Sequence, residues 1–419
     1  MKKWLLRIVL GFLAVLALLL GIMFLRSLAP VPVPNQELQL VRATIPPGAN
    51  GYDALVAATN HLWLPKEQER SFGELLKDTN WDDALAATVL ASNRDALAGW
   101  DAAAKLPDFQ VPEISNCDDL LPYLSSWKQL AQLAEVRENF LLHNGQDKAA
   151  FDQIVNQILL GRRMQDARGV LIVYLVGTAV NNMGLSQIQH WAGKAQLTPE
   201  QLKNYCLQLK TRPGETGAAF ANAIRVEHQM QIGTLASIRD GKMNSEYFPH
   251  VWPVWPLFSF GQTRALFAKG ALMLVQAAPH HYSEVNMPGM EARPSLASMA
   301  LSGNWTGQVL YYMMMPALAG SLAKKSQCDV QVQATRTILA LRAYQLVHGN
   351  LPPDLKALVP EFLDEVPVDD FDGQPLRYSA EKKIVYSVGR NLKDDGGDDQ
   401  ASPKDSSQRH LDLASKFDF

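Results

Sequence analysis

Asp394, Asp395, Asp398 and Asp399 stand within six consecutive residues, with Gly396 and Gly397 between them. Carboxylates that close repel one another. A hard cation taking oxygen ligands at about 2.3–2.6 Å relieves the repulsion, and the two glycines let the loop wrap around it. The run is therefore a candidate Ca²⁺ site, set against the plainer reading of a solvated acidic tail whose charge Arg390, Lys393 and Lys404 partly neutralise. His280, His281 and Glu284 are the second group with metal-ligand chemistry. A site of that kind needs a helix and a well-placed third ligand, whereas Pro279 opens the segment and the HExxH order is absent, so these read as loop or surface histidines. Nucleophilic catalysis has little to rest on: SxxK occurs at Ser321 with Lys324 and at Ser379 with Lys382, but neither SDN nor KTG accompanies it, and GxSxG does not occur. The phosphate-cradling patterns GxGxxG and GxxxxGK[ST] do not occur either. Cys117, Cys206 and Cys328 are odd in number, far apart and without a CxxC. They are expected to be buried or partly buried thiols, with one disulfide possible outside the cytoplasm and no basis for choosing its pair.

These groups hang on a mostly helical framework. Apolar residues recur at three- and four-residue spacing over 82–105, 118–143, 147–193, 198–209 and 216–239, with a break expected near Gly169 or Gly184. Thr198, Pro199 and Gln201 place a hydroxyl at an N-cap, a proline at the first helical position and an acceptor two residues on, which satisfies orphan amides at a helix start. Asn144-Gly145 and Arg212-Pro213-Gly214 are stops. Short loops between such helices predict an antiparallel array, and no fixed repeat is evident. Arg162, Arg163, Arg225, Glu227 and His228 read as solvated helix faces. In the alternative reading of the chain as an envelope hydrolase or ligand-binding protein, they converge in a pocket between helices. The run 247–260, with three prolines and six aromatic residues, cannot be a regular helix and is expected to be a buried strap, or else an exposed aromatic surface for a partner or the membrane interface. A helix over 262–278 and a loop to Pro294 follow.

The apolar stretch 305–323 carries Thr306, Gln308, Ser321 and a central Pro316, which fits a buried helix better than a returning membrane span. It leads into 337–346, where Ile338, Leu341 and Leu346, with Ala334, Ala340 and Tyr344, give one broad apolar face. Gly349 ends that helix. Leu351, Leu355, Leu358, Val359 and Phe362 cap the core through a short helix begun by Pro352-Pro353, and 376–378 pairs with 384–388 as a hairpin across 379–383.

This α+β unit resembles the head of type II secretion major pseudopilins. The matching residues are Tyr344, Gly349, Pro352, Pro367, Asp369, Phe371, Gly373, Pro375, Tyr378, Tyr386, Ser387 and Gly389, with Asp372 an extra residue in the loop. The resemblance covers 334–389 and extends more weakly upstream to about 309. It implies Ca²⁺ in the segment after the YSVG strand, carried here by Asp394, Asp395, Asp398 and Asp399. Assembling pilins also need a glutamate early in the mature helix. Gly11-Phe12 is present, but Val15, Leu16 and Ala17 stand where the acid belongs, so processing and fibre assembly are not expected. The chain as a whole looks like a bacterial envelope protein with such a head fixed at its C-terminus.

Residues 8–25 carry no charge and, at about 1.5 Å per residue, cross most of a roughly 30 Å hydrocarbon core. Lys2, Lys3 and Arg7 precede them, which places the N-terminus in the cytoplasm and the bulk of the chain on the far side of an inner membrane. A cleaved signal peptide is the alternative, disfavoured because Pro30 follows the candidate site Ser27-Leu28-Ala29. A net charge of -3 without a concentrated basic surface argues against nucleic acid. The expected chain is mainly α: an N-terminal transmembrane helix and cytoplasmic tip (1–28), a proline-rich spacer (29–48), an antiparallel helical array (49–305), and a long helix with a small C-terminal α+β pseudopilin-like domain and an acidic tail (306–419). Its partners are the membrane and unidentified proteins. The expected role is an extracytoplasmic interaction or scaffold protein linked to secretion or envelope assembly, not an enzyme.

Overall fold

The computed structural model describes residues 2–27, 36–64, 69–78, 80–119, 121–212, 214–240, 242, 258–286, 294–300, 302–398 and 412–419. Helix α1 (Lys2–Ser27) stands at the N-terminus. A first group follows: α2 (Gly51–Thr59), α3 (Glu69–Lys77), α4 (Asp83–Ser92), α5 (Arg94–Lys105) and α6 (Tyr123–His143). Then come α7 (Asp147–Gln165), α8 (Leu171–Trp191), α9 (Pro199–Gln208), α10 (Glu215–Arg239), α11 (Phe260–Ala277), the short α12 (Leu296–Ala300) and the long α13 (Trp305–His348). The head after α13 carries a three-stranded antiparallel sheet in the order β1 (Arg377–Ser379), β2 (Ile384–Ser387), β3 (Leu413–Lys416).

The helix starts and stops follow from local chemistry. Thr198 caps α9 with the reciprocal pair of hydrogen bonds its sequence predicts, Gln201 N to the Thr198 hydroxyl and Thr198 N to the Gln201 side chain. The helix expected over 82–105 is two helices. Buried Asn93 divides them because its side chain bonds Trp63 through both N–H and C=O, at 2.7 and 2.9 Å, and also donates to Val89 O. The helix expected over 147–193 breaks at 166–170, beside Gly169. Gly184 is instead a packing position inside α8, where a Cβ would lie 2.6 Å from Ile158.

The centre of the molecule is the antiparallel hairpin of α7 and α8. Gly161 and Gly177 face each other across it so closely that a Cβ on Gly177 would sit 2.6 Å from Gln165 N and 2.8 Å from Gly161 O. On one side Leu97, Trp100, Trp127, Leu130 and Leu133 of α5 and α6 bury against Leu160, Met164 and Val173. On another, Phe220, Phe267 and Leu274 of α10 and α11 bury with Tyr311, Met315 and Leu322 from the first half of α13. The second half of α13 belongs to a third cluster, in which Ile338, Leu339 and Leu341 join Phe151, Ile154 and Ile158 of α7, Tyr205 of α9, and Leu358, Phe362, Phe371 and Val385 of the head. The head therefore has no separate core. Helix α13, 44 residues long, ties both halves together.

Among the described residues two spans are long and apolar enough to cross a membrane, Arg7–Leu25 and α8. They differ in environment. The α8 window is 61% buried inside the fold, whereas the Arg7–Leu25 window, with a mean hydropathy of 3.0, contains no buried residue. Of the expected spacer, 29–35 lies outside the described residues, and the rest packs onto the body: Leu38 is buried, and Arg42 donates to Val111 O and Arg168 O. Of the expected aromatic strap, 247–257 also lies outside them, while Phe258 is buried and the Arg239 guanidinium lies 4.5 Å above the Phe260 ring. The described C-terminus differs from a solvated tail. Residues 413–416 form the edge strand on β2, and Phe417 N donates to Lys383 O.

Gly177→Ala should lower unfolding stability by about 1–3 kcal/mol, because the added methyl meets backbone that cannot step aside. Gly320→Ala, at a position of α13 with nothing within 4 Å of the new Cβ, should raise it by up to about 1 kcal/mol through helix propensity alone. Urea unfolding of the two variants beside the parent checks both signs.

Candidate functional site

The loop between Pro367 and Arg377 is built around one carboxylate. Asp369 is fully buried and accepts from Phe371 N (2.9 Å), Ser387 Oγ (2.8 Å), Val388 N (3.0 Å) and Arg377 Nη1 (3.0 Å). Burial raises its pKa, and the hydrogen bonds from Phe371, Ser387 and Val388 act against the rise. Backbone bonds close the turn: Asp369 N to Gln374 O, Gly373 N to Asp369 O and Leu376 N to Pro367 O. Arg377 forks onto Asp372, so the residue that lengthens the loop has a partner.

The next residue carries this loop into the body. Asp370 Oδ2 lies 3.0 Å from Nζ of Lys325, which is 3% exposed in the middle of α13, and the same ammonium lies 3.0 Å from Asp329, one helical turn on. Asp329 also accepts from the Thr216 hydroxyl of α10 at 3.0 Å, and His281 Nδ1 stands 3.3 Å from Asp370 Oδ1. Burial disfavours charge on Lys325, but its two carboxylates outweigh this and raise its pKa. Asp329 is pushed up mainly by burial. Beside the ionic cluster, Tyr282 N and Ser283 N donate to Asp370 O and Phe371 O at 2.9 and 2.8 Å. The Tyr282 ring packs against Phe371 at 5.4 Å, and Arg390 Nε donates to the Tyr282 hydroxyl. Chemically the cluster is a lock, since each charge is used by another.

The acidic run follows β2 and meets the same loop through Arg377. Asp394 Oδ1 accepts from Gly396 N (2.9 Å) and the Tyr386 hydroxyl (3.2 Å), and its other oxygen lies 3.9 Å from Arg377. Asp395 Oδ2 accepts from Asn391 at 2.9 Å. Asp398 is in the described part of the loop and Asp399 is outside it. Gly397 takes φ +80°, which favours glycine, and a Cβ there would run into Ile384. Lys382 reaches this loop through Gly396 O at 2.7 Å, and Lys404 lies outside the described residues. Among the described residues no three His, Cys, Asp or Glu side chains are gathered as a metal-holding group.

Two residues that pattern reading missed organise these features. Asp412 is buried, its Oδ2 accepts from Asp395 N (3.0 Å) and Gly397 N (2.7 Å), and its Oδ1 has no hydrogen-bond partner among the described residues. Lys325 is the other. Its only sequence signal was the Lys325/Asp329 spacing of four.

The remaining candidates divide. Arg162 and Arg163 meet in a cleft of about 420 Å³ between α7, α9 and the start of α10, with Lys210 and Arg212. Arg225, Glu227 and His228 are not among the residues lining it. Arg225 donates to Glu37 O and Glu227 accepts from Leu171 N, while His228 is buried, which with the nearby Arg264 charge lowers its pKa to about 4. His280 and Glu284 pair loosely at 3.6 Å on an exposed turn. Ser321 is buried and donates to Leu318 O, and Lys324 is exposed. Cys206 and Cys328 are buried free thiols pushed up to about 12 by burial, and Cys117 is a free, exposed one.

Compared with protein-family models, curated proteins and solved structures, the chain matches none. The test of the arrangement is therefore internal. Lys325→Met leaves Asp329 and Asp370 buried without their cation and should cost about 3–5 kcal/mol of stability, whereas the exposed neighbour Lys324→Met should stay within about 0.5 kcal/mol. Chemical unfolding of both variants reads the difference.

Proposed function

We propose that the chain is a single-pass inner-membrane protein that holds a rigid, mostly helical body and a pseudopilin-like head on the extracytoplasmic side, where it acts as an interaction or scaffold protein in secretion or envelope assembly. The observation that carries the reading is the largely exposed apolar surface of Arg7–Leu25. A helix with a mean hydropathy of 3.0 and no buried residue in its window, touched near its end where Gly303 lies against Met23, suits a hydrocarbon environment. Lys2, Lys3 and Arg7 on its leading side favour a cytoplasmic N-terminus.

The scaffold role is supported by how the head is mounted. Asp369 and Asp370, adjacent in the pseudopilin-like loop, face opposite tasks: one closes the loop and the other fastens it to α13. A head fixed in this way holds its sheet at a set orientation to the helical body, which suits docking. Ca²⁺ at Asp394, Asp395, Asp398 and Asp399 belongs to the same proposal. The unpartnered Asp412 Oδ1 beneath the loop is an oxygen donor that such an ion would use.

Alkaline phosphatase fused after Phe419 should be active in cells and the fusion should sediment with membranes. A green fluorescent reporter that lights up at the same position, with the phosphatase silent, would reverse the topology. Removal of residues 1–27 should release the protein from the membrane fraction.

A further inference from the structure

The cleft beside α7 has the wrong charge balance for an idle surface hollow. Four of its lining residues are cationic, Arg162, Arg163, Lys210 and Arg212, and two are acidic, Asp166 and Glu215. The acids are turned to other tasks: Asp166 accepts from Asn222 at 3.2 Å, and Glu215 accepts from Arg212 N and Nε at 2.9 and 3.4 Å. Lys210 is paired outward with Asp364. Arg162 and Arg163 have no carboxylate within salt-bridge distance among the described residues. Each spends one terminal nitrogen on a backbone carbonyl, Leu209 O for Arg162 and Ala104 O for Arg163, and each has a buried Nε with no partner. Burial depresses both guanidinium pKa values, and for Arg163 no nearby charge works against it. For Arg162 the more distant Glu215 and Asp329 offset part of the cost, but a partly desolvated cation such as Arg163, with no carboxylate paired to it, is costly unless something anionic completes it.

We propose that this cleft binds a small phosphate-bearing ligand, with Arg162 and Arg163 as its anion-recognising pair and Arg212 at the rim. The volume falls in the range of small-molecule sites, roughly 300–1,000 Å³. With Lys210 paired to Asp364 and Arg212 to Glu215, the two positive charges of Arg162 and Arg163 are the ones that match the -1.5 to -2 of a phosphomonoester at about pH 7. The planar guanidinium fork suits phosphate oxygens. No aromatic residue lines the walls, so a stacked base is not the recognised part; Thr211, Thr216 and Gln208 offer hydrogen bonds to hydroxyl groups. The inference is independent of the scaffold reading and of which side of the bilayer the body occupies. A free phosphate and a lipid headgroup present the same chemistry, and the same residues would hold either.

The test uses the full chain in neutral detergent. Inorganic phosphate, glycerol phosphate and short-chain phosphatidic acid are titrated against sodium chloride at equal ionic strength, and melting temperature and calorimetric binding are followed. Phosphate should raise the melting temperature above the chloride control, and Arg163→Gln should weaken binding by about ten-fold or more, as loss of one charge-assisted hydrogen bond requires. Arg212→Gln, whose side chain is 88% exposed and so leaves the fold intact, should weaken it less but measurably. If Arg163→Gln does not fold, Arg212→Gln decides. Binding of glycerol phosphate marks a free ligand and binding of phosphatidic acid alone marks a lipid source. No stabilisation beyond chloride by any of the three, or undiminished binding in the folded variants, overturns the proposal.

Discussion

A lysine ammonium buried at the midpoint of a 44-residue helix is the constraint around which the body and the head are arranged. Lys325 cannot stay charged there alone, since an unpaired ion in such a site costs several kcal/mol. It is held by Asp329 from its own helix and by Asp370 from the head. Each carboxylate in turn needs its remaining lone pairs filled, and the groups that do so come from different parts of the chain: Thr216 from α10 and His281 from the turn after α11. Satisfying one buried charge thus fixes four segments. The apolar packing runs the same way, with α7, α9, α13 and the head sharing one cluster, so no surface exists along which the head can slide.

Much of the helical framework was legible because its signals are local. The Thr198 capping box, the stop at Asn144-Gly145 and the break beside Gly169 depend on residues within a few positions of one another, and the 3.6-residue period does not need tertiary information. The division at Asn93 was not legible, because its cause is a pair of hydrogen bonds to Trp63, thirty residues away. Lys325 was hidden for the same reason. It sits in the polar phrase AKKSQCD, which reads as a solvated face, and its partners lie 45 residues away at Asp370 and, through Asp329, 113 residues away at Thr216. Strand β3 lacks the β-branched run that marks a strand, and its place is set by pairing with β2. Asp412 became visible only with that pairing.

For the candidate sites, sequence patterns found the right residue types and were poor at saying which ones share a place. The acidic run is a real loop, shaped by Gly396, Gly397 and the buried Asp412, yet its first two aspartates are already engaged by Tyr386, Arg377 and Asn391. Of five charged and polar helix residues considered as a pocket, Arg162 and Arg163 share a cleft while Arg225, Glu227 and His228 are spent on packing and loop contacts. The separation follows from the helix geometry. Adjacent arginines in the last turn of α7 reach the same gap towards α9 and α10, where their charge also complements the helix C-terminus.

The central claim is that the helical body and the head are one cooperative unit. Differential scanning calorimetry of the full chain in detergent tests it most directly. The account predicts a single unfolding transition for the chain beyond α1, with calorimetric and van't Hoff enthalpies in agreement. Two resolved transitions, the smaller one belonging to the sheet-bearing head, would contradict it.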